Sequence, residues 1–152
     1  MDDDARFMKR ALELARRAAE MGEVPVGSVV VREGLVVGEG FNLKETDEDP
    51  TAHAEIIALR AAARRLGTWV LDDATLFTTC EPCPMCAGAI VQARVRRLVF
   101  GCEDPKGGGV VSRYGIGIDG ELNHKVELTT GIMAESCADL LTQFFRERRE
   151  KP

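Results

Sequence analysis

The sequence predicts a layered α/β domain in which helices cover a single mixed sheet. Two observations predict this fold class. A β-hairpin near the N-terminus is followed by strands that alternate with helices, and apolar residues recur at helical spacing in the helical segments. The chain has 152 residues, 45% of them hydrophobic, so it can bury a core without disulfides. We therefore expect one domain over residues 1–152.

The chain begins with an amphipathic helix and a hairpin. Over residues 5–19, apolar side chains recur every three or four positions, which is typical of a helix that packs on one face. Residues 26–31 and 35–41 are rich in β-branched and apolar side chains and predict two strands. The short link Arg32-Glu33-Gly34 between them indicates a hairpin, so the two strands are expected to be antiparallel.

The middle of the chain alternates helices with strands. An alanine-rich helix is expected over residues 52–66, with Asp49-Pro50 supplying its cap and a proline in its first turn. A short strand over residues 75–79 follows. A helix opened by proline is expected over residues 84–93, and a further strand over residues 97–101.

A glycine-rich segment separates this region from the C-terminal helix. Residues 102–123 contain six glycines, a composition that resists regular structure and is typical of a long functional loop. Residues 125–128 predict a brief last strand. Apolar side chains at helical spacing predict a closing helix over residues 134–148.

Composition limits the function classes. A net charge of -5 and a pI near 5.1 argue against a protein that coats nucleic acid by bulk electrostatics. The chain has no long apolar run and opens with acidic residues, so we expect neither a membrane span nor a signal peptide. We therefore expect a cytoplasmic protein. Three of the five cysteines fall within residues 80–86, which favours thiolate chemistry over a disulfide framework.

Two short motifs at helix starts carry the predicted chemistry. His53 lies near the start of the second helix, while Cys83 and Cys86 lie at the start of the third. The positive end of a helix dipole stabilises thiolates, the form of cysteine that binds metal. Three protein ligands leave the fourth position of a zinc ion open for water, as in catalytic sites. Cys80 extends the run to C-x2-C-x2-C, so a Cys3His structural zinc site or an iron–sulfur ligand set is the alternative.

Glu55 completes the motif. H-x-E followed by P-C-x-x-C is the signature of zinc deaminases, in which the glutamate is not a ligand but transfers protons. Ideal helical geometry does not place His53 and Glu55 on one face, so their pairing is taken from the motif. Zinc would lower the pKa of a water molecule, and Glu55 would accept its proton. The alternative for Glu55 is an exposed helix charge.

At this point the sequence resembles the bacterial tRNA adenosine deaminases over nearly the whole chain. Five segments carry most of the likeness: EVPVG at 23–27, GEGFN at 38–42, DPTAHAEI at 49–56, EPCPMCAGAI at 81–90 and FFRERR at 144–149. The resemblance implies a cytidine-deaminase-like three-layer α/β/α sandwich with a central mixed five-stranded sheet. It also implies one zinc ion per chain, a homodimer, and conversion of the wobble adenosine of a tRNA to inosine.

The resemblance also implies substrate contacts. Asn42 would hydrogen-bond the target base, Val26 would pack beside it, and the backbone near Ala54 would contact its edge. The family's RNA-contacting C-terminal helix corresponds to five residues here: Phe144, Phe145, Arg146, Arg148 and Arg149. From the residues alone, a solvated helix end explains these arginines equally well, because cations favour the last turn of a helix.

Two other functions stay open at this stage. Residues 102–120 depart from the family's pattern, which favours a second reading: a deaminase of a free purine base, a nucleoside or another small aminated heterocycle such as guanine. Arg113 or Tyr114 over the zinc pocket would favour that small substrate, and an open groove towards the C-terminal arginines would favour the anticodon loop of a tRNA. A non-enzymatic zinc module is the third reading, and it requires four protein ligands.

Overall fold

The computed structural model describes residues 2–150, which form four helices and five strands. The helices are α1 (Asp2–Glu20), α2 (Ala54–Leu66), α3 (Pro84–Gln92) and α4 (Ala134–Glu150). The strands are β1 (Gly27–Arg32), β2 (Leu35–Phe41), β3 (Ala74–Cys80), β4 (Arg97–Cys102) and β5 (Glu127–Thr130). Within this part of the chain, every helix is too short or too polar to cross a membrane.

The strands form one mixed sheet in the order β2-β1-β3-β4-β5. Strand β1 pairs antiparallel with β2 and with β3, while β3, β4 and β5 are parallel to one another. The expected mixed five-stranded sheet is therefore confirmed. Because β3 and β4 run parallel, their carboxyl ends meet at one edge of the sheet, where ligand sites of α/β proteins usually lie.

The first hairpin is tighter than the sequence indicates. Arg32 pairs directly with Leu35, so only Glu33 and Gly34 form the loop. Both have positive φ angles, 52° and 77°, as a two-residue type I′ turn requires. The register shifts between Val30 and Val31, a β-bulge in which Val37 of β2 is the extra residue.

Helices cover both faces of the sheet. Along β1, Val29 and Val31 join the apolar cluster beneath α1, whereas Val30 joins the cluster beneath α2. Such alternation follows from the period of two along a strand. Cys137 places α4 on the same face as α1, and Ile90 places α3 on the same face as α2. The expected three-layer α/β/α sandwich is confirmed.

Two glycines of β2 let α2 approach the sheet closely. A Cβ added at Gly38 would lie 2.4 Å from the carbonyl oxygen of Ala58, and one added at Gly40 would lie 2.5 Å from that of Ala54. No side chain fits at either position without a shift of the helix. The first turn of α2 is thereby fixed against the strand.

Helix α2 begins two residues later than expected, and Asp49-Pro50 is not its cap. Asp49 Oδ1 instead accepts hydrogen bonds from the backbone N–H of Thr51 at 2.8 Å and from its hydroxyl at 2.7 Å, which closes a local turn. The N-cap of α2 is His53. In the sequence alone, an aspartate followed by proline is compatible with a helix cap or with a local turn, and in this structure it forms the turn.

The last strand is shifted towards the C-terminus. The backbone N–H of Val126 donates to Gly117 O, so this residue belongs to the preceding loop, and β5 starts at Glu127 beside Arg97. Residues 103–126 fold as successive turns, as their composition indicates. Val110 is fully buried within them, so the loop packs onto the core and does not extend into solvent.

Candidate active site

Two helix N-termini converge on one point. His53 and Cys83 are the N-cap residues of α2 and α3, both in extended conformation, with ψ angles of 155° and 171°. Among the described residues, neither side chain makes the usual capping hydrogen bond to its own helix. Both side chains are therefore free to turn away from the helix ends. Cys86 lies in the first turn of α3 and is fully buried.

The three donor atoms match the geometry of a tetrahedral metal site. His53 Nδ1 lies 3.6 Å from Cys83 Sγ and 3.5 Å from Cys86 Sγ. All three donor atoms lie within 4.8 Å of one another. Tetrahedral zinc with ordinary Zn–N and Zn–S bonds requires an N···S separation of about 3.6 Å. The site thus fits a metal held by one imidazole and two thiolates, with a fourth position to spare.

Cys80 stays outside this group. It ends β3, pairs in register with Cys102 of β4, and packs in the core beneath α1 and α4. A hydrogen bond with Cys102, together with burial, raises the pKa of the Cys80 thiol, so it stays protonated. In the described part of the chain, the residues therefore do not assemble the alternative Cys3His or iron–sulfur ligand sets.

The protonation states of the cluster also suit a cation. A hydrogen bond from Cys86 lowers the pKa of the Cys83 thiol to about 4, and the same contact raises the pKa of Cys86. Hydrogen bonding to Cys83 raises the pKa of His53. The Cys83 thiol thus ionises more readily than that of Cys86, and metal binding would release the remaining protons of the cluster.

Glu55 is a buried carboxylate beside the cluster. It lies in the first turn of α2 and is only 4% exposed, so it is not an exposed helix charge. Burial raises the pKa of Glu55 to about 7. A group that ionises near neutral pH can both accept and return a proton under working conditions, which is what acid–base catalysis requires.

A cavity opens onto these groups from one side. His53, Glu55 and Cys83 line it, together with the three residues that the family resemblance implies as substrate contacts: Val26, Asn42 and Ala54. The structure therefore brings the expected metal ligands, proton carrier and substrate contacts to one place. Cys86 is fully buried and does not line the cavity.

Asn42 is held in a fixed orientation at the cavity wall. Its Nδ2 donates to Val24 O at 3.3 Å, and its Oδ1 accepts from the backbone N–H of Lys44 at 3.1 Å. An amide has two donor hydrogens and two acceptor lone pairs, so one of each stays available for a ligand. Asn42 can thus hydrogen-bond a heterocycle without losing its own anchors.

Sequence reasoning missed several residues of the cavity wall. The further lining residues are Val24, Lys44, Glu81 and Asp104, together with Cys80, which the sequence indicated only as an alternative metal ligand. Most of them lie on or beside loops, and their position depends on how those loops fold back. The sequence did contain a signal for Glu81. It is a charged residue immediately before the Pro82-Cys83 motif, where the chain turns into a helix, and charged residues are seldom buried at such a turn.

The aromatic and basic residues of α4 lie apart from the cavity. Phe144 and Phe145 meet edge to face at 5.4 Å, and the Arg148 guanidinium lies 5.1 Å from the Phe144 ring centroid. Arg148 Nη2 also contacts Glu45 Oε2 at 3.2 Å, next to the cavity residue Lys44. The end of α4 therefore reaches the loop at the rim of the cavity. Arg146 and Arg149 are exposed on the same helix.

Comparison with known families identifies this arrangement. The chain matches the MafB19-like deaminases over residues 1–149, which includes both metal-ligand motifs. It belongs to this deaminase family. The deaminase is also 48% identical to the tRNA-specific adenosine deaminase of Haemophilus influenzae over 149 residues, which cover 97% of this chain and 86% of that relative. The resemblance read from the sequence is thus confirmed.

Solved structures agree with this placement. A structure from studies of A-to-I editing by tRNA:A34 deaminases superposes with a TM-score of 0.87 at 42% identity, covering 90% of this deaminase and 99% of that chain. A guanine deaminase from Nitrosomonas europaea superposes with a TM-score of 0.81 at 26% identity, covering 92% and 83%. Deaminases that act on RNA and deaminases that act on a free base thus share this fold.

Proposed function

We propose that this deaminase converts adenosine to inosine by hydrolysis at the wobble position of a tRNA. Support comes from the relatives, which are named for that reaction, and from one observation of the cavity. Of residues 102–123, only Asp104 lines it, whereas Arg113 and Tyr114 are exposed and lie elsewhere. Neither Arg113 nor Tyr114 therefore closes the cavity over a small substrate. A nucleotide that is still part of an RNA chain fits such a site, provided that its base is flipped inward.

The metal of this proposal is zinc, one per chain, held by His53 Nδ1 and the sulfurs of Cys83 and Cys86. Zinc bound by three protein ligands supplies Lewis acidity and lowers the pKa of a water molecule. The donor set and its spacing support this choice over magnesium or calcium, which prefer oxygen ligands.

Glu55 moves two protons in the reaction. It takes one from the attacking water and gives it to the adjacent ring nitrogen as oxygen bonds to the amino-bearing carbon. It then takes the second proton of that water and gives it to the amino group, which leaves as ammonia while the new carbonyl forms. Its burial beside the cluster and its pKa near 7 support both roles.

The polar wall of the cavity orients the base. Asn42 offers its free donor and acceptor to the base, Val26 packs against the ring, and the backbone at Ala54 meets its edge. These roles are supported by the position of all three residues in the cavity. An apolar slot with a few fixed polar groups is what a flipped base requires.

The end of α4 forms the RNA-docking surface of the proposal. Phe145 is exposed for stacking, and Arg146 and Arg149 are exposed for phosphates. Phe144 and Arg148 contact each other, and they would exchange that contact and the Arg148–Glu45 pair for RNA. The contact between Arg148 and Glu45 supports this surface, because it ties the helix to the rim of the cavity. The negative charge of the whole chain is compatible with a basic patch confined to one edge.

The deaminase acts as a homodimer in this proposal. An apolar groove between α2 and α3 supports it, and Trp69 at its border is 64% exposed. The other lining residues are mostly apolar: Ile56, Leu59, Ala63, Leu71, Ala89 and Ala93, with Arg60 and Gln92. Exposed apolar surface of this kind typically marks a protein interface.

Free-base deamination is the second candidate, favoured by the structural likeness to the guanine deaminase. Ammonia release separates the two. Zinc-loaded protein is tested on a tRNA anticodon stem-loop with a wobble adenosine, in parallel with adenosine, adenine, guanine and cytosine. We expect turnover of the stem-loop alone. Turnover confined to one of the small molecules would overturn the tRNA proposal and leave the free-base deaminase.

A further inference from the structure

Glu81 is a buried carboxylate to which the proposed reaction assigns no role. It is 3% exposed and sits between the end of β3 and the ligand Cys83. Burying a charged group is costly unless it is fully hydrogen-bonded. Its partners therefore indicate what it does.

The partners all come from the loop that follows β4. Oε2 accepts the backbone N–H groups of Val110 at 3.1 Å, Val111 at 2.9 Å and Ser112 at 3.0 Å. Oε1 accepts the backbone N–H of Asp104 at 3.0 Å and the hydroxyl of Ser112. One carboxylate thus gathers five donors from the two ends of a nine-residue segment, residues 104–112. Hydrogen bonds to an ionised acceptor are roughly twice as strong as neutral ones.

This segment, which we call the 104–112 loop, packs directly on the chain that enters α3. A Cβ added at Gly108 would lie 2.3 Å from the Glu81 carboxyl carbon, and one added at Gly109 would lie 2.7 Å from Pro84 N. The Gly109 N–H also donates to Pro82 O at 2.8 Å. The two adjacent glycines let the loop close around the carboxylate and against the residues that flank Cys83.

The same bonds fix the cavity wall. Asp104 lines the cavity, and its backbone N–H is one of the five donors to Glu81. Its own Oδ1 accepts the N–H groups of Lys106 and Gly107, at 3.2 and 3.1 Å. Asp104 is therefore held through both its backbone and its side chain, and the backbone anchor is Glu81.

We propose that Glu81 is a positioning residue that holds the 104–112 loop in place, and with it Asp104, the residue of that loop that lines the substrate cavity. The inference rests on the proposed function for the identity of the substrate, but the loop's attachment is independent of it. Both carboxylate oxygens of Glu81 accept hydrogen bonds from the loop, so we assign it no contact with the reacting atoms. It acts through Asp104, so its loss weakens substrate binding more than the chemical step, and the metal ligands stay in place.

The test compares Glu81→Gln with Glu103→Gln in the full-length, zinc-loaded protein. Glu103 is exposed one residue before the loop, so this control removes the same charge without the five bonds. In Glu81→Gln an amide replaces one acceptor oxygen, and we expect amide hydrogens of residues 104–112 to exchange about ten- to a hundredfold faster. We expect KM for the anticodon stem-loop to rise about tenfold, with kcat within about threefold and zinc at one per chain. Glu103→Gln should match wild type in all four measurements.

Three outcomes overturn the proposal. Unchanged exchange across residues 104–112 would show that Glu81 does not hold the loop. Loss of zinc together with a fall in kcat at constant KM would show that it supports the metal site instead. If Glu81→Gln does not fold, Ser112→Ala removes only the hydroxyl donor and should accelerate exchange in the same residues by a smaller factor, and unchanged exchange there would also overturn it.

The experiment distinguishes a wrong substrate assignment from a wrong role for Glu81. Hydrogen exchange and zinc content require no substrate, so they report on the loop even if the stem-loop is not turned over. In that case KM is measured with the small molecule that the wild-type protein does deaminate, and the same rise is expected because Asp104 lines the same cavity.

Discussion

At the scale of single residues, the site separates groups that hold the metal from a group that moves protons. His53 and Cys83 project from helix N-caps, whereas Glu55 lies within the first turn of α2 and is buried at the cavity. The metal-binding side chains and the Glu55 carboxylate thus reach the same cavity from different positions along α2 and α3. Each role can therefore be removed without the other.

Replacing Glu55 tests its role in proton transfer. Glutamine has nearly the same shape but cannot accept and return a proton, so we expect Glu55→Gln to lower kcat by about two to four orders of magnitude. Zinc content, measured by inductively coupled plasma mass spectrometry, should stay at one per chain. Activity above about a tenth of wild type would contradict the assigned role.

The two neighbouring cysteines distinguish the ligand set. Cys83→Ser should lose most of its zinc, because an alcohol at this position is a much poorer donor than a thiolate. Cys80→Ser should retain one zinc per chain, since Cys80 lies outside the group of donors. The pair is matched in chemistry and lies three residues apart. Equal metal loss from both variants would restore the Cys3His alternative.

At the scale of secondary-structure elements, the position of α2 depends on the glycines of β2. A Cβ at Gly40 would lie 2.5 Å from Ala54 O and 2.8 Å from Ala58 N, both backbone atoms that cannot move independently. We expect Gly40→Ala to lower the free energy of unfolding by about 1–3 kcal/mol, measured by urea denaturation.

Gly88→Ala is the matched control for that substitution. Gly88 lies within α3, and a Cβ added there meets nothing within 4 Å. Alanine favours a helix over glycine by about 1 kcal/mol, so this variant should be more stable than wild type. The same chemical change thus has opposite signs at the two positions. A destabilised Gly88→Ala alongside a neutral Gly40→Ala would refute the packing argument.

The elements were largely predictable from the sequence, and their ends were less so. Helical periodicity located α1 and α4, and local composition located the other elements, such as the alanine-rich run of α2 and the proline that opens α3. The start of α2 was wrong, since the Asp49 side chain satisfies a turn that the pattern cannot distinguish from a helix cap. The start of β5 shifted because Val126 bonds to Gly117 across the loop.

The part of the candidate site that was predictable is the part in which metal binding requires residues at short, fixed sequence spacings. The donors His53, Cys83 and Cys86 followed from motif spacing. Lys44 and Asp104 did not, because their place in the cavity depends on loops that are fixed by distant hydrogen bonds. Those bonds join residues that are more than twenty positions apart, such as Asp104 and Glu81. No local pattern reports them.

At the scale of the whole molecule, an apolar groove stays uncovered between α2 and α3. Self-association of two copies about a twofold axis would place this same groove on both sides of the interface. The homodimer stays a prediction. Trp69, at the border of the groove, is the side chain whose burial would contribute most.

Trp69→Arg tests the dimer. We expect a monomer by light scattering after size-exclusion chromatography, because a charge would be buried without a partner in the interface. Leu35→Arg is the control, since Leu35 is also 64% exposed but lies at the hairpin, outside the groove. A wild-type monomer, or a dimer that survives Trp69→Arg, would reject this interface.

The loop between β4 and β5 has a consequence for how such enzymes change over evolution. Its ends are set by two parallel strands of fixed register, and Glu81 accepts five hydrogen bonds from its first part, residues 104–112. The metal donors lie on other parts of the chain. A change in this connection can therefore move Asp104, the cavity residue that it carries, while the metal donors keep their positions. Exchanging this connection between relatives is the corresponding engineering route.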